Sequence, residues 1–313
     1  MSILKRLSDL LAYAAKRPYC VGIITFAIVL STGYGATTRE NTNSPKVVAT
    51  ILPMYLFTTA VTGSDSQVNL LVPPNTSIHN YQASPSNVRA LAEAKVLVKN
   101  GLGIEDFLEK LITNAGNSQL QQIDASQGIE TIEEEHDHAG DHDHEEGNPH
   151  VWLDPVLAQK QVKNIRDGLI TADPNNTQIY QQNAATYLEK MQQLDRQFQT
   201  QLSPVKGCKF ITFHEAYPYL AQRYGLQQIA VIELPEDSLS PQDIQRIINA
   251  AKQYNAKALL SEVGIDDSRL TQIAKDTGLP VKALDPIESG SLDPQYYFTA
   301  MQNNLNTLLE VCQ

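Results

Sequence analysis

The stretch TQIYQQNAATYLEKMQQLDRQFQTQL, residues 177–202, contains neither glycine nor proline and is rich in Gln, Leu, Ala and Glu. These residue types favour helix, whereas glycine and proline interrupt it. The stretch therefore predicts one long, rigid helix. Because strand and helix patterns alternate on both sides of it, we expect this helix to bridge two lobes and to limit hinge motion between them.

The first half of the chain alternates short β-branched runs with amphipathic helical stretches. Ser84 and Pro85 have the pattern of an N-cap and a first helical residue, and Val88, Leu91 and Ala92 then lie on one helical face. Alternation of this kind is typical of a parallel sheet covered by helices. The predicted strands are residues 47–52, 68–72 and 96–98.

The same rhythm returns in the second half, where Ser240 and Pro241 begin a helix with an apolar stripe. The predicted strands are residues 209–213, 229–232, 258–260 and 281–284. The fold class that we predict is α/β, with two lobes, each a mostly parallel sheet flanked by helices, joined by one long rigid helix. The predicted divisions are a signal peptide at residues 1–36, an N-terminal lobe at 37–176, a linker helix at 177–203 and a C-terminal lobe at 204–313.

The N-terminus has the layout of a secretory signal. Basic residues extend to Arg17, an apolar run follows from Cys20 to Leu30, and small residues come next. The apolar run is shorter than the roughly 20 residues that cross a bilayer. We therefore expect cleavage and a soluble periplasmic protein, with an uncleaved anchor as the alternative. Cys20 begins the apolar core rather than following it, which does not fit a lipid-modified cysteine.

Beyond the signal the cysteines are Cys208 and Cys312. In an oxidising compartment this pair permits one disulfide that holds the C-terminal helix to the second lobe, and two separate buried thiols are equally compatible with the sequence. The formal net charge is −11, and the first 36 residues contribute +3, so the remainder carries −14. Such a surface repels nucleic acid and tolerates cations.

Residues 133–147 read EEEHDHAGDHDHEEG, with eight acidic residues and four histidines. The segment has too little apolar surface to pack, which predicts a solvated loop within the first lobe. One hypothesis is weak auxiliary zinc binding by its imidazoles, and the alternative is a charged loop without that role. The four histidines are His136, His138, His142 and His144.

Three histidines lie outside that loop, and each is a candidate metal ligand. His214 directly follows a predicted strand, which is where open α/β sheets bind ligands. His79 lies in a loop beyond another strand, and His150 falls in NPHVWLDP. Asp285 ends the strand at 281–284, although Asp before Pro is also a common N-cap. Three imidazoles with at most one carboxylate favour Zn²⁺ over Mn²⁺.

Several of these strings resemble one family, the zinc and manganese solute-binding proteins of bacterial ATP-binding-cassette importers. The resemblance covers nearly all of residues 46–313, with its motifs in the order of that family. The strings are HNYQASPSNVRALAEAKVLVKNGLGIEDFLEKL from His79, NPHVWLDP around His150, TFHEAYPYLAQRYGL around His214, and residues 241–286, which end in VKALDP.

The resemblance implies two α/β lobes, a rigid connecting helix and one metal site in the cleft. Carried over residue by residue, its ligands are His79, His150 and His214, and the fourth is either Asp285 or water. A histidine at position 214 and an acidic histidine-rich loop are features of the zinc-specific members, whereas manganese members carry glutamate there. The expected function is capture of Zn²⁺ and its delivery to a membrane permease, by a monomer that is not an enzyme.

Three alternatives stay open at this point. A manganese-binding member of the same family is the first. A zinc hydrolase is the second, because three histidines with an open position also describe a catalytic zinc, yet Pro218 interrupts the H-E-x-x-H pattern that begins at His214. An adhesin or zinc store that works through residues 133–147 is the third.

Overall fold

The computed structural model describes residues 46–63, 67–74, 76–132, 147–212, 215–230, 241–263 and 268–313. Two four-stranded parallel sheets organise these residues, and each contains strands from one half of the chain only. The first half contributes β1 (Val47–Ala49), β2 (Val68–Leu70), β3 (Val96–Lys99) and β4 (Gln121–Asp124). The second contributes β5 (Lys209–Thr212), β6 (Gln227–Ala230), β7 (Leu259–Glu262) and β8 (Val281–Leu284).

The two sheets share one topology. The strand order is β2-β1-β3-β4 in the first and β6-β5-β7-β8 in the second, and every strand pair is parallel. In the first sheet Val47 pairs with both Val68 and Val96. Since all strands of a parallel sheet end at the same edge, the loops that follow them gather there.

Helices cover both sheets, and the long helix is confirmed as one unbroken element, α5, from Thr177 to Leu202. At about 1.5 Å per residue, its 26 residues span about 39 Å. The helices are α1 (Leu52–Thr62), α2 (Pro85–Glu93), α3 (Leu108–Ala115), α4 (Pro155–Ala172), α5 (Thr177–Leu202), α6 (Pro218–Tyr224), α7 (Pro241–Gln253), α8 (Ser268–Thr277) and α9 (Tyr296–Cys312).

One hydrophobic core runs through both lobes, because the apolar face of α5 packs into it along the helix. Its buried residues come from β1 in the first lobe to α9 in the second. Hydrogen bonds tie α5 to each lobe: the Asn183 amide donates to the Val61 carbonyl, and the Tyr224 hydroxyl donates to Asp195. The lobes therefore share a rigid interior. The buried residues of α5 are Tyr180, Ala184, Tyr187, Leu188, Met191, Leu194, Phe198 and Leu202.

Several predicted strands have other ends in the structure: β2 stops at Leu70 rather than at 72, β6 begins at Gln227 rather than at 229, and β7 is Leu259–Glu262 rather than 258–260. The predicted strand at 47–52 ends at Ala49, because α1 begins at Leu52 with a proline in its first turn, where proline suits a helix. Strand β4 was not predicted, because it begins with two polar, exposed residues, Gln121 and Gln122, and so lacks the alternation of apolar and polar residues that marks a strand. Ser84 is the N-cap of α2, as predicted.

The predicted signal peptide at residues 1–36 lies outside the described residues. Of the helices that the structure does describe, none has the length and apolar character to cross a bilayer. The lobe divisions at residues 176 and 203 stay predictions.

Cys208 and Cys312 form a disulfide, which decides between the two possibilities that the sequence left open. Cys208 immediately precedes β5 and Cys312 ends α9, so the bond joins the first and last elements of the second lobe. The two cysteines are 104 residues apart along the chain. Closing so long a loop restricts the unfolded chain and thereby stabilises the fold.

Replacing both cysteines, as Cys208→Ser with Cys312→Ser, is expected to lower the free energy of unfolding by about 2–5 kcal/mol, because the unfolded chain regains the entropy of an open loop. Urea denaturation at 25 °C measures the change. The wild type in reducing agent should match the double variant, and the variant should not respond to reductant. A double variant as stable as the oxidised wild type would contradict this role.

Candidate metal centre

His79 lies in the segment that follows β2, and neighbouring side chains hold this segment in place. Ile78 is buried in the core. The Tyr81 ring packs edge-on against Phe107 with centroids 5.0 Å apart, and its hydroxyl donates to the Asn87 side chain at 2.8 Å. Contacts of Ile78 and Tyr81 on either side of His79 thus hold this segment, and the His79 side chain keeps 19% of its surface exposed.

His150 immediately precedes a short 3-10 turn, Val151–Leu153, in which all three side chains are buried. The Trp152 ring N–H donates to the Pro286 carbonyl at 2.7 Å, and the Tyr297 hydroxyl donates to the Trp152 carbonyl at 2.9 Å. Both bonds cross from the first lobe to the second. They place the His150 side chain, which is only 4% exposed, against the loop after β8.

That loop presents Glu288 toward the two histidines. Ile287, fully buried, has a φ of 60°, in the left-handed region that β-branched residues rarely adopt. Asp285 supports the turn, because one of its oxygens accepts from the Ile287 N–H at 2.8 Å and the other from the Tyr296 hydroxyl at 2.6 Å. Burial raises the pKa of Asp285 above its usual value, while these two hydrogen bonds oppose the shift.

His79, His150 and Glu288 form a donor cluster with the dimensions of a zinc site. Glu288 Oε1 lies 3.4 Å from His150 Nε2 and 3.6 Å from His79 Nε2, and one donor atom from each residue lies within 4.8 Å of the other two. Zinc with bonds of about 2.0–2.1 Å in a tetrahedron requires ligand atoms about 3.3 Å apart. The observed separations exceed an ordinary hydrogen bond and match this edge.

A buried polar network below the cluster supports the segment that carries His150. Glu105 accepts hydrogen bonds from the Thr50 hydroxyl at 2.6 Å and from the N–H groups of Asn100 and Gly101 at 2.7 and 3.0 Å. The Asn100 amide in turn donates to the Pro149 carbonyl at 3.1 Å. Burial raises the pKa of Glu105 to about 7, although the hydrogen bonds oppose that shift.

Electrostatic and capping contacts fix the start of α4, just after His150. The Asp154 carboxylate accepts from the Val156 N–H at 2.7 Å, which makes Asp154 the N-cap of α4. Its second oxygen accepts from the Arg223 guanidinium of α6 at 2.7 Å, across the lobe boundary. Burial raises the pKa of Asp154, and the Arg223 charge opposes this shift.

The structure thus brings together two of the four ligands expected from the sequence. Asp285 is not a member of the donor cluster, and its place as a ligand stays a prediction. His214 lies outside the described residues, as do the four histidines of the acidic loop, His136, His138, His142 and His144.

Glu288 is the donor that sequence reasoning missed. The sequence pointed to Asp285, which directly follows the strand at 281–284, whereas Glu288 comes three positions later. It reaches the cluster only because Ile287 turns the backbone into the left-handed region. The sequence Asp-Pro-Ile-Glu offered Glu288 as a second carboxylate after the strand. The left-handed turn that precedes Glu288 has no glycine, so the sequence did not indicate that turn.

Several known proteins are similar to this chain in sequence and in fold over most of its length. The high-affinity zinc uptake system protein ZnuA of Bacillus subtilis (strain 168) is 32% identical over 280 residues, which cover 84% of this chain and 86% of that protein. A crystal structure of ZnuA superimposes with a TM-score of 0.74 at 29% identity, covering 87% of this chain and 100% of the other. The Zn(II)-bound AdcA structure from Streptococcus pneumoniae has a TM-score of 0.75 at 29% identity, covering 86% of this chain and 58% of that one.

Two parallel sheets bridged by one long helix, with imidazole and carboxylate donors converging from both lobes, define a two-lobed metal-binding protein. The family model described as "ZnuA: Zinc-uptake complex component A periplasmic" matches residues 47–311. The chain belongs to this family.

The raised pKa of Glu105 predicts a specific pH dependence of stability. Between pH 4.5 and about 7 the folded chain retains a proton that the unfolded chain has lost, so this stabilisation is complete below pH 4.5 and disappears as pH rises through 7. Glu105→Gln has no proton to exchange. The wild type minus Glu105→Gln difference in unfolding free energy should therefore fall by roughly 2 kcal/mol between pH 5 and pH 8.

Urea denaturation of both proteins at the two pH values measures this difference, and other titrating groups cancel in the subtraction. A difference that stays constant, or that grows toward pH 8, would show that Glu105 does not take up a proton on folding. At pH 8 the variant should also be less stable by about 1–3 kcal/mol, because its amide N–H₂ faces a backbone donor.

Proposed function

We propose that this chain is the extracytoplasmic zinc-binding component of an importer, which captures Zn²⁺ between its lobes and delivers it to a membrane permease. The observation that carries the proposal is the convergence of His79 Nε2, His150 Nε2 and Glu288 Oε1, which come from three distant segments, at separations near a tetrahedral edge. The family and the names of the zinc uptake relatives agree with it.

The proposed ligand set is His79, His150 and Glu288 with His214 as the fourth. Glu215, which directly follows His214 in the sequence, accepts through its carbonyl from the Asn148 amide of the first lobe at 2.7 Å, which supports His214 as the fourth ligand. Three imidazole nitrogens and one carboxylate oxygen suit Zn²⁺, whereas Mn²⁺ favours more oxygen donors and water. Asp285 is the alternative oxygen ligand, with its two oxygens already engaged in the turn.

The chain is not an enzyme, since the family is a zinc-uptake component. The geometry agrees, because α6 begins at Pro218 and therefore leaves Glu215 outside any helix that could complete H-E-x-x-H. We further propose that the protein acts in the periplasm as a monomer, with the ATP-binding-cassette permease as its partner. The acidic surface is consistent with a cation as the cargo and with no role in nucleic-acid binding.

His79→Ala, His150→Ala, His214→Ala and Glu288→Gln are each expected to weaken zinc binding at least 100-fold, because each removes one donor of a four-coordinate site. Competition with a chromophoric chelator at pH 7.5 measures the dissociation constant. Asp285→Asn should change it less than tenfold if Glu288 is the ligand.

Glu93→Gln is the matched control, since Glu93 is exposed and pairs with Lys46 on the surface. Its zinc affinity should equal that of the wild type. Unchanged affinity in any histidine variant would remove that residue from the ligand set. A severe loss in Asp285→Asn together with unchanged affinity in Glu288→Gln would return the oxygen ligand to Asp285.

The acidic histidine segment is proposed to bind zinc weakly and to raise its concentration near the cluster. Ile132 and Asn148 flank it, and the Asn148 N–H donates to the Ile132 carbonyl at 2.9 Å, so the two flanking residues are paired. Replacement of residues 133–147 by a short Gly-Ser linker, which removes every histidine and acid of the segment and keeps this pair, should therefore leave the fold and the tight site intact.

Equilibrium dialysis against zinc separates this role from that of a store. The linker variant is expected to retain one tightly bound zinc per chain and to lose only the weak ones. A zinc store would instead lose most of its capacity and would retain no tight site.

A further inference from the structure

Asn148 is a buried side chain, 1% exposed, that contacts a proposed ligand in the first lobe and the backbone of the second. Its Oδ1 accepts from the His150 N–H at 3.0 Å, and its Nδ2 donates to the Glu215 carbonyl at 2.7 Å. A backbone N–H can only donate and a carbonyl can only accept. Both contacts therefore require the same orientation of the amide.

This orientation determines where the His150 imidazole carries its proton. His150 Nδ1 lies 3.1 Å from the same Asn148 Oδ1. Since Oδ1 has no hydrogen to donate, Nδ1 must carry a proton, and in the neutral imidazole the lone pair is then on Nε2, the nitrogen that lies 3.4 Å from Glu288 Oε1. That is the form of imidazole that binds a metal through Nε2.

The other end of the amide reaches the segment of the third proposed ligand. Glu215 directly follows His214 in the sequence, and the bond to its carbonyl restrains the backbone of Glu215. The second lobe also holds Asn148 itself, because the Tyr219 hydroxyl donates to the Asn148 carbonyl at 2.6 Å and accepts from the Ile132 N–H at 3.1 Å.

We propose that Asn148 is a positioning residue for zinc: it sets the tautomer and direction of His150 and couples that ligand to the backbone of Glu215 across the lobe boundary. The proposal rests on the proposed function, because it assumes that His150 binds the metal through Nε2. Asn148 does not contact the ion. It raises affinity by keeping the His150 imidazole in the Nδ1–H form and by linking that ligand to the Glu215 backbone of the second lobe.

Two substitutions separate the two halves of this role. Asn148→Ala removes both contacts, whereas Asn148→Asp keeps an oxygen that accepts from His150 and loses the donor to Glu215. Asn164→Ala is the matched control, because the Asn164 amide also donates to two backbone carbonyls, those of Ala125 and Gln127, outside the donor cluster.

Two quantities are measured. The first is the zinc affinity, and the second is the His150 tautomer, which long-range ¹⁵N NMR of the metal-free protein reports. Asn148→Ala should weaken binding about 10- to 100-fold and give a mixture of tautomers. Asn148→Asp should retain the Nδ1–H form and release zinc faster than the wild type in a chelator chase. Asn164→Ala should keep the wild-type affinity, release rate and tautomer, whatever its thermal stability.

The results distinguish this inference from the proposed function. Tight zinc binding by the wild type and its loss in His150→Ala would support the proposed function. If Asn148→Ala then binds zinc within twofold of the wild type and keeps the wild-type His150 tautomer, the inference about Asn148 is overturned and the proposed function is not. If Asn148→Ala does not fold, Asn148→Asp decides, and a wild-type release rate in it overturns the coupling. Unchanged affinity in His150→Ala would instead overturn the assignment of His150 that both share.

Discussion

Among the described residues, the closest approach of candidate metal donors occurs between the two lobes, and the rest of the structure serves to hold the lobes at that distance. Glu288 approaches the imidazoles of His79 and His150 at 3.6 and 3.4 Å, although the carboxylate and the histidines lie in different lobes. Independent lobes joined by a flexible linker would not hold such distances. The continuous core, with α5 packed along it, makes the two lobes one body.

Buried hydrogen bonds at the lobe boundary add directional contacts to this shared core. Trp152 donates to the Pro286 carbonyl and Arg223 to Asp154, so each lobe supplies a donor to the other close to the ligand segments. Apolar packing alone has no direction, whereas a buried donor fixes the position of its acceptor. The ligand loops are therefore placed by hydrogen bonds, and the core supplies most of the stability.

Residue patterns predicted the features that depend on local chemistry. The helix at 177–202 followed from its lack of glycine and proline. His79 and His150 were expected to lie near one another from their positions relative to strands and to the NPHVWLDP motif, and they do, while their role as ligands stays a prediction. Glu288 was missed because its position depends on the left-handed backbone of Ile287, which tertiary packing imposes on a residue that disfavours it. Strand β4 was missed for a related reason, because Gln121 and Gln122 are in a strand through their pairing with β3 and not through their own residue pattern. The disulfide required coordinates, because sequence spacing does not show that two cysteines meet.

The position of that disulfide gives the second lobe an order of assembly. Cys208 precedes its first strand and Cys312 follows its last, so every strand of the sheet lies inside the covalent ring. Because the chain is synthesised from its N-terminus, Cys208 is made before Cys312. The disulfide therefore cannot form until α9 has been synthesised. Since α9 also packs on the core that both lobes share, oxidation completes a scaffold whose first lobe and bridging helix have already emerged.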